Sequence, residues 1–334
     1  MKLFEVAKSK VPVNNLLSDK FIVPPFTVLD SRMGYWSKRK ADWKNIGIKS
    51  ELGRGDYILD DEGNFIENTD NKGNCMDMNF EKYGRKAMSA TSIFDPVLCE
   101  IAYRWFTPKK DNVNIIDPFA GGSVRGIVAS CLNLHYTGID LREEQVKSNI
   151  MQFNDINKAG QISNDYMPNW ICGNSLDIDT LVGDKKFDLL FTCPPYYDLE
   201  VYSDNPNDLS NLDSYEDFIQ MYSEIIIKSC KHLNDNSFAI IVVGEIRDKK
   251  GIYRNFVGDT ISILQKAGLS YYNEAIFITP VGTLPLRVPK QFNAYRKLGK
   301  EHQNVIVFYK GDTKSIKDLY QEVVNDDLTA VKIV

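Results

Sequence analysis

The sequence predicts an α/β fold, a mostly parallel sheet covered by helices on both faces, preceded by an N-terminal extension. Two observations predict it. From about residue 86, short apolar runs alternate with stretches whose apolar residues recur at helical spacing, the pattern of strand–helix–strand units. The first apolar run also passes into a glycine-bearing turn, Ala120-Gly121-Gly122, before the next helical stretch. In open parallel sheets, such a turn is where ligands approach the backbone.

Taken in order, Ser92 to Phe106 carries Phe94, Leu98, Ile101, Ala102 and Trp105 at helical spacing and stops before Pro108. Val113 to Phe119 is a short apolar strand, Val124 to Leu134 a helix, Tyr136 to Leu141 a second strand, and Glu143 to Asn154 a second helix. Trp170 to Cys172 and Phe187 to Cys193 give the third and fourth strands. Ser214, with Asp217 three residues on, starts a long helix in the manner of a capping box. Phe238 to Val243 is a fully apolar fifth strand, and Phe256 to Ala267 a helix closed by Gly268. Ala275 to Thr279 and Val305 to Tyr309 complete seven strands, the last two as an antiparallel pair. Residues 282–303 between them read as a long loop, and a loop of that length in a compact domain is usually functional.

Three regions follow: an extension over residues 1–85, a main domain over 86–312 and a tail over 313–334. Pro24-Pro25 and the polar stretch from Asp60 to Gly73 mark the extension as irregular. The six cysteines lie far apart with no C-x-x-C pair and the three histidines are scattered, so neither a metal site nor a disulfide framework is expected. No apolar run reaches the ~20 residues that cross a bilayer, and nothing resembles a secretory signal. The expectation is a cytoplasmic protein without membrane or metal.

A net charge of -5 does not suit a general nucleic-acid coat, so any phosphate contact needs local cations. Two stretches hold them. One includes Arg39 and Lys40, interleaved with Tyr35, Trp36 and Trp43; the other includes Arg287, Lys290, Arg296 and Lys297, with no acid until Glu301. Either can equally be a solvated face.

Two motifs carry chemistry. The first strand runs into Asp117-Pro118-Phe119-Ala120-Gly121-Gly122, and the second ends in Gly138-Ile139-Asp140. A carboxylate at that strand end can accept hydrogen bonds from ribose hydroxyls, although a helix cap is its plainer use. The third strand runs into Gly173-Asn174-Ser175, where a polar side chain can meet an adenine edge. The fourth ends in Cys193-Pro194-Pro195-Tyr196. Two prolines remove two N–H donors and leave their carbonyls as acceptors, and the following aromatic can stack on a flat ring. An enzyme acting on a base inside a duplex must extrude it into such a pocket.

These residues resemble the DNA amino-methyltransferases, which act on adenine N6 or cytosine N4 with S-adenosylmethionine (SAM) and share a seven-stranded Rossmann-like fold. The stretches from Val23 to Trp43 and Arg296 to Phe308 look similar to methyltransferase-like proteins of bacteriophages, which would place the chain in a bacterial or phage-infected cell. The resemblance implies that Phe119, Gly121 and Gly122, with Ala120 in the same turn, lie along the methionine part of SAM. It implies that Asp117 helps to hold the SAM amino group and that Asp140 binds the ribose. It also implies that Pro194 and Tyr196 hold the target base, with Pro195 in the same motif.

Cys193 departs from the Asp, Asn or Ser of the family motif, and a thiol is a weak acceptor. That opens cytosine C5 chemistry, in which a thiolate adds to the ring and Glu245, at the end of the fifth strand, assists. Arg247 is a second group at that place. The P-P-Y context favours amino methylation. An RNA methyltransferase shares the same motifs, and a binding protein that has lost catalysis would keep the fold. DNA is the expected partner, read by the extension, residues 282–303, or both.

Overall fold

The computed structural model describes residues 23, 25–48, 57–59, 65–67, 94–197, 205–282 and 284–322. Its strands are β1 (Val28–Asp30), β2 (Tyr57–Leu59), β3 (Phe65–Glu67), β4 (Asn114–Asp117), β5 (His135–Asp140), β6 (Asn169–Cys172), β7 (Phe187–Thr192), β8 (Leu233–Val243), β9 (Ser270–Ile278) and β10 (His302–Lys310). The helices are α1 (Gly34–Asn45), α2 (Pro96–Phe106), α3 (Val124–Cys131), α4 (Glu143–Lys158), α5 (Ile178–Val182), α6 (Tyr215–Lys231), α7 (Phe256–Lys266), α8 (Leu284–Tyr295) and α9 (Ile316–Leu319).

Eight strands form one sheet in the order β1-β9-β10-β8-β7-β4-β5-β6, with β2 and β3 paired apart from it. β6, β5, β4, β7 and β8 run parallel, and β10 is antiparallel to both β8 and β9. The fold is therefore a Rossmann-like doubly wound sheet, closed by the antiparallel pair expected from the sequence. All six residues of β7 are buried, as a strand covered on both faces requires. The strand order reverses beside β4, so the crevice of the sheet opens at the carboxyl ends of β4, β5 and β7. One apolar layer holds Trp36, Trp43, Tyr103 and Phe153, and the opposite layer holds Phe218, Tyr222 and Phe256.

Three expectations need correction. First, part of the extension belongs to the core. β1 adds an eighth strand beside β9, and α1 buries Trp36, Arg39 and Trp43, whose spacing puts them on one helical face. Second, α8 stands where a loop was expected. Pro285 falls in its first turn, which tolerates the missing N–H, and Pro289 lies inside it. Third, the end of the main domain lies beyond residue 312: Tyr320 packs edge-on against Phe238 at 5.0 Å, and its hydroxyl donates to the Asn236 carbonyl at 2.9 Å. α2 also starts later than expected, at Pro96, because Asp95 caps it by accepting from the Val97 and Leu98 N–H groups. Among the described residues, no helix is long and apolar enough to cross a membrane.

Candidate active site

An open cleft with an empty volume of about 730 Å³ lies at the strand-order reversal. Phe119, Gly121, Asp140, Asn174, Cys193 and Pro195 all line it, so the two sequence motifs open onto one space.

The glycine turn is fixed from several sides. Gly121 has a φ of +51°, a conformation glycine adopts without strain. Its N–H donates to Asp140 Oδ2 at 2.9 Å, and its carbonyl accepts from Asn149 Nδ2 at 2.7 Å. Asp140 Oδ1 accepts the Arg142 N–H at 2.9 Å, which holds the carboxylate at the cleft wall. Arg142 Nη2 donates to Gln145 Oε1 at 2.7 Å, and Gln145 Nε2 donates to Asn149 Oδ1 at 2.9 Å. This relay ties the Asp140 side of the cleft to the Gly121 carbonyl, and Arg142 and Gln145 themselves line the cleft. The sequence reading missed both. Their signal was polar residues at 142, 145 and 149, one helical face, of which Gln145 and Asn149 are buried.

Asn174 caps the short turn after β6, its Oδ1 accepting the Leu176 N–H at 3.0 Å. Ala120 is fully buried, and its N–H donates to the Ile139 carbonyl at 2.9 Å. A Cβ on Gly122 would meet open space. Asp117 does not line the cleft. It is fully buried and accepts from Arg125 Nε at 2.5 Å, Thr192 Oγ1 at 2.6 Å, Tyr136 Oη at 2.7 Å and the Phe119 N–H at 3.1 Å. Burial acts to lower the Arg125 value, but the Asp117 carboxylate beside it prevails and raises it, so the guanidinium stays charged. Burial, and then Asp117, push the Tyr136 phenol well above its usual range, so it remains a donor. Asp117 is thus a buried tie between β4, β5, β7 and α3, with its acceptor sites filled from within the protein. This corrects the expected direct contact with a SAM amino group.

At the end of β7, Pro194 is buried, whereas Cys193, Pro195 and Tyr196 are partly exposed. Tyr196 Oη accepts from Gln303 Nε2 at 2.6 Å and lies 4.0 Å from Cys193 Sγ. Its ring stands edge-on to Phe256 at 6.1 Å and 87°. Gly244, at the end of the intervening strand, lies beside both Tyr196 Oη and Lys300: a Cβ there would be in ordinary contact with Oη at 4.0 Å and with Nζ at 3.6 Å. Tyr197 is buried with a φ of +47°, a conformation worth ~1–2 kcal/mol of strain for a side chain of this size. Its hydroxyl is held by the Asp213 carbonyl at 3.1 Å. This bend turns the chain out of the sheet immediately after Tyr196.

Glu245 is a second correction. Its carboxylate caps α7, with Oε2 accepting the Phe256 N–H at 3.1 Å and Oε1 the Val257 N–H at 3.2 Å, and it does not line the cleft. Arg247 donates to the Gly251 carbonyl at 2.8 Å and lies over the Tyr253 ring. One expected nucleic-acid contact, that of Arg39, is also corrected. Arg39 is buried and paired with both oxygens of Glu100, at 2.8 and 2.5 Å, and Lys40 is paired with Asp95 at 2.9 Å. Lys290, Arg296 and Lys297 do lie on or after α8, with the first two exposed; the Arg287 side chain falls outside the described residues.

No protein-family model matches the sequence, and no curated protein matches it. Solved structures match at low identity. TrmN from Thermus thermophilus aligns over 66% of this chain and 51% of its own, with a TM-score of 0.41 and 11% identity, so the match spans about half of that protein. A rRNA methylase from Streptococcus thermophilus aligns over 66% and 100% of the two chains, with a TM-score of 0.39 and 10% identity. Magnesium protoporphyrin IX methyltransferase from Synechocystis, with bound SAM, aligns over 60% and 71%, with a TM-score of 0.38 and 11% identity. Likeness of this order says nothing of substrate.

Proposed function

We propose that the protein methylates an exocyclic amino nitrogen of a DNA base, adenine N6 or cytosine N4, with SAM as methyl donor. One observation carries this reading: Gly121, Asp140, Cys193 and Pro195 line a single cleft, and the Tyr196 hydroxyl lies 4.0 Å from Cys193 Sγ. The residues fit the donor. Gly121 offers backbone without a side chain, and Phe119 gives an apolar wall. Asp140 lines the cleft at the end of β5, where a carboxylate can accept from ribose hydroxyls. When bound, SAM supplies a methyl group on a positively charged sulfur that leaves as a neutral thioether.

The remaining work falls to the chain. Tyr196, braced by Gln303 and Phe256, gives a ring face on which an extruded base stacks. The Pro194 carbonyl would accept a hydrogen bond from the amino group and orient its nitrogen. Transfer would form an N–C bond as the S–C bond breaks, and the nitrogen would then release a proton to solvent. No residue needs to become covalently attached. Cytosine C5 chemistry, by contrast, needs a carboxylate at the base, and Glu245 is engaged at the α7 N-terminus.

Transfer of labelled methyl from SAM to DNA, compared between wild type and Cys193→Ser, tests this reading. Serine is a better acceptor and a far weaker nucleophile at neutral pH, so activity is expected to persist or rise. Complete loss of transfer by Cys193→Ser, with SAM binding intact, would overturn the amino mechanism and make Cys193 the nucleophile. Transfer to RNA but not to DNA would overturn the choice of substrate.

A further inference from the structure

Outside the cleft, two segments meet on the same edge of the molecule as Tyr196. One is the turn after β8, residues 246–254; the other is α8 with the strand-ward stretch 296–300. They are joined by Lys297, whose ammonium group lies against the bare face of Gly251, where a Cβ would come within 2.2 Å of Nζ. Lys300 makes the second join, with its Nζ 6.0 Å from the Tyr253 ring. Lys300 also borders Gly244, directly beside Tyr196.

The joined surface carries four cation–aromatic pairs. Arg247 lies over Tyr253 at 3.9 Å, Lys300 over the same ring, Arg296 over Phe292 at 5.2 Å, and Lys297 over Tyr295 at 5.2 Å. The rings face solvent: Tyr295 is 70% exposed, Tyr253 45% and Phe292 38%. Residues 282–300 contain five cations and no acid. Asp248, the carboxylate of the partner turn, accepts the Ile252 N–H at 2.8 Å and so closes its own loop. A hydrophobic partner would leave these cations unmatched, and a duplex would meet the cations but hide its base faces from the rings. A single strand matches both, because its phosphates meet the cations while its unstacked bases meet the aromatic faces.

We infer that α8 and the turn after β8 form a track for single-stranded nucleic acid leading to the base pocket at Tyr196. This rests on the reading of that pocket, and it narrows the substrate to a strand that is unpaired, or opened, next to the target base.

The test needs no turnover. Full-length protein without cofactor is titrated by fluorescence anisotropy against labelled oligo-dT of about 16 nucleotides, a duplex of equal length, and heparin as a bare polyanion. The track predicts tighter binding to oligo-dT than to duplex, weakening as salt rises from roughly 50 to 200 mM. A Tyr253→Ala, Tyr295→Ala double variant should lose about tenfold or more for oligo-dT and little for heparin. Both rings are exposed, so its melting temperature should match wild type and separates a lost contact from a lost fold. Equal affinity for duplex and single strand, equal loss for heparin, or no effect of the double variant would each overturn the track. Oligo-dT binding without methyl transfer to any nucleic acid would overturn the proposed activity and leave the track standing; transfer to duplex without oligo-dT binding would do the reverse.

Discussion

At Tyr196 three elements meet: β7 delivers the residue, Gln303 from β10 holds its hydroxyl, and Phe256 from α7 abuts its ring. If this ring stacks the target base, Tyr196→Ala should lower turnover by roughly ten- to a hundredfold, since a base–aromatic stack is worth ~1–3 kcal/mol. SAM affinity, measured by calorimetry, should barely change; an unaltered rate would remove the ring from the pocket. Glu245 gives the opposite expectation. Glu245→Gln should cost about 1 kcal/mol in urea unfolding, the usual worth of a charged helix cap, and leave turnover near wild type. Lost turnover at full stability would return the carboxylate to the chemistry. The two residues also differ in how far the sequence discloses them. Tyr196 and Asp140 sit in contiguous motifs, whereas the N–H groups bound by Glu245 lie 11 and 12 residues away and belong to a helix end that only folding brings there.

At the scale of elements, α1 is held to α2 by two carboxylates rather than displayed to a ligand. Glu100, fully buried, accepts from Arg39, Arg104 Nε at 2.9 Å and Trp43 Nε1 at 2.8 Å. Asp95 accepts from Trp36 Nε1 at 3.2 Å and from Lys40. Arg39→Ala removes the charge-assisted bonds of Arg39 to Glu100 while those of Arg104 and Trp43 remain, so it should destabilise the protein by about 1.5–3 kcal/mol. Chemical unfolding reads that loss, and oligonucleotide affinity of the folded fraction should stay the same. A variant of normal stability with weakened nucleic-acid binding would reverse the assignment. The parallel strands were legible because each is an apolar run bounded by turn residues. α1 was not, because its buried face is interrupted by a charged residue and its polar side dominates. α8 was not, because Pro285 and Pro289 read as loop residues; a first turn accommodates Pro285, whereas Pro289 stands inside the helix at a cost.

For the molecule as a whole, the order β6-β5-β4-β7-β8 sets the strands that carry the motifs side by side. Asp140 ends β5, the glycine turn follows β4, and the Pro-Pro-Tyr segment follows β7, so all three open at one end of the sheet. The sequence announced these motifs separately. Their convergence depends on the strand order reversing beside β4, which local patterns do not encode. In the proposed reaction this shared cleft moves a methyl group onto a base nitrogen. Its most direct test is mass spectrometry of nucleosides from single-stranded and duplex DNA incubated with the purified protein and SAM. N6-methyladenine or N4-methylcytosine is the predicted product, while 5-methylcytosine alone, or no modified base on either substrate, would contradict the account.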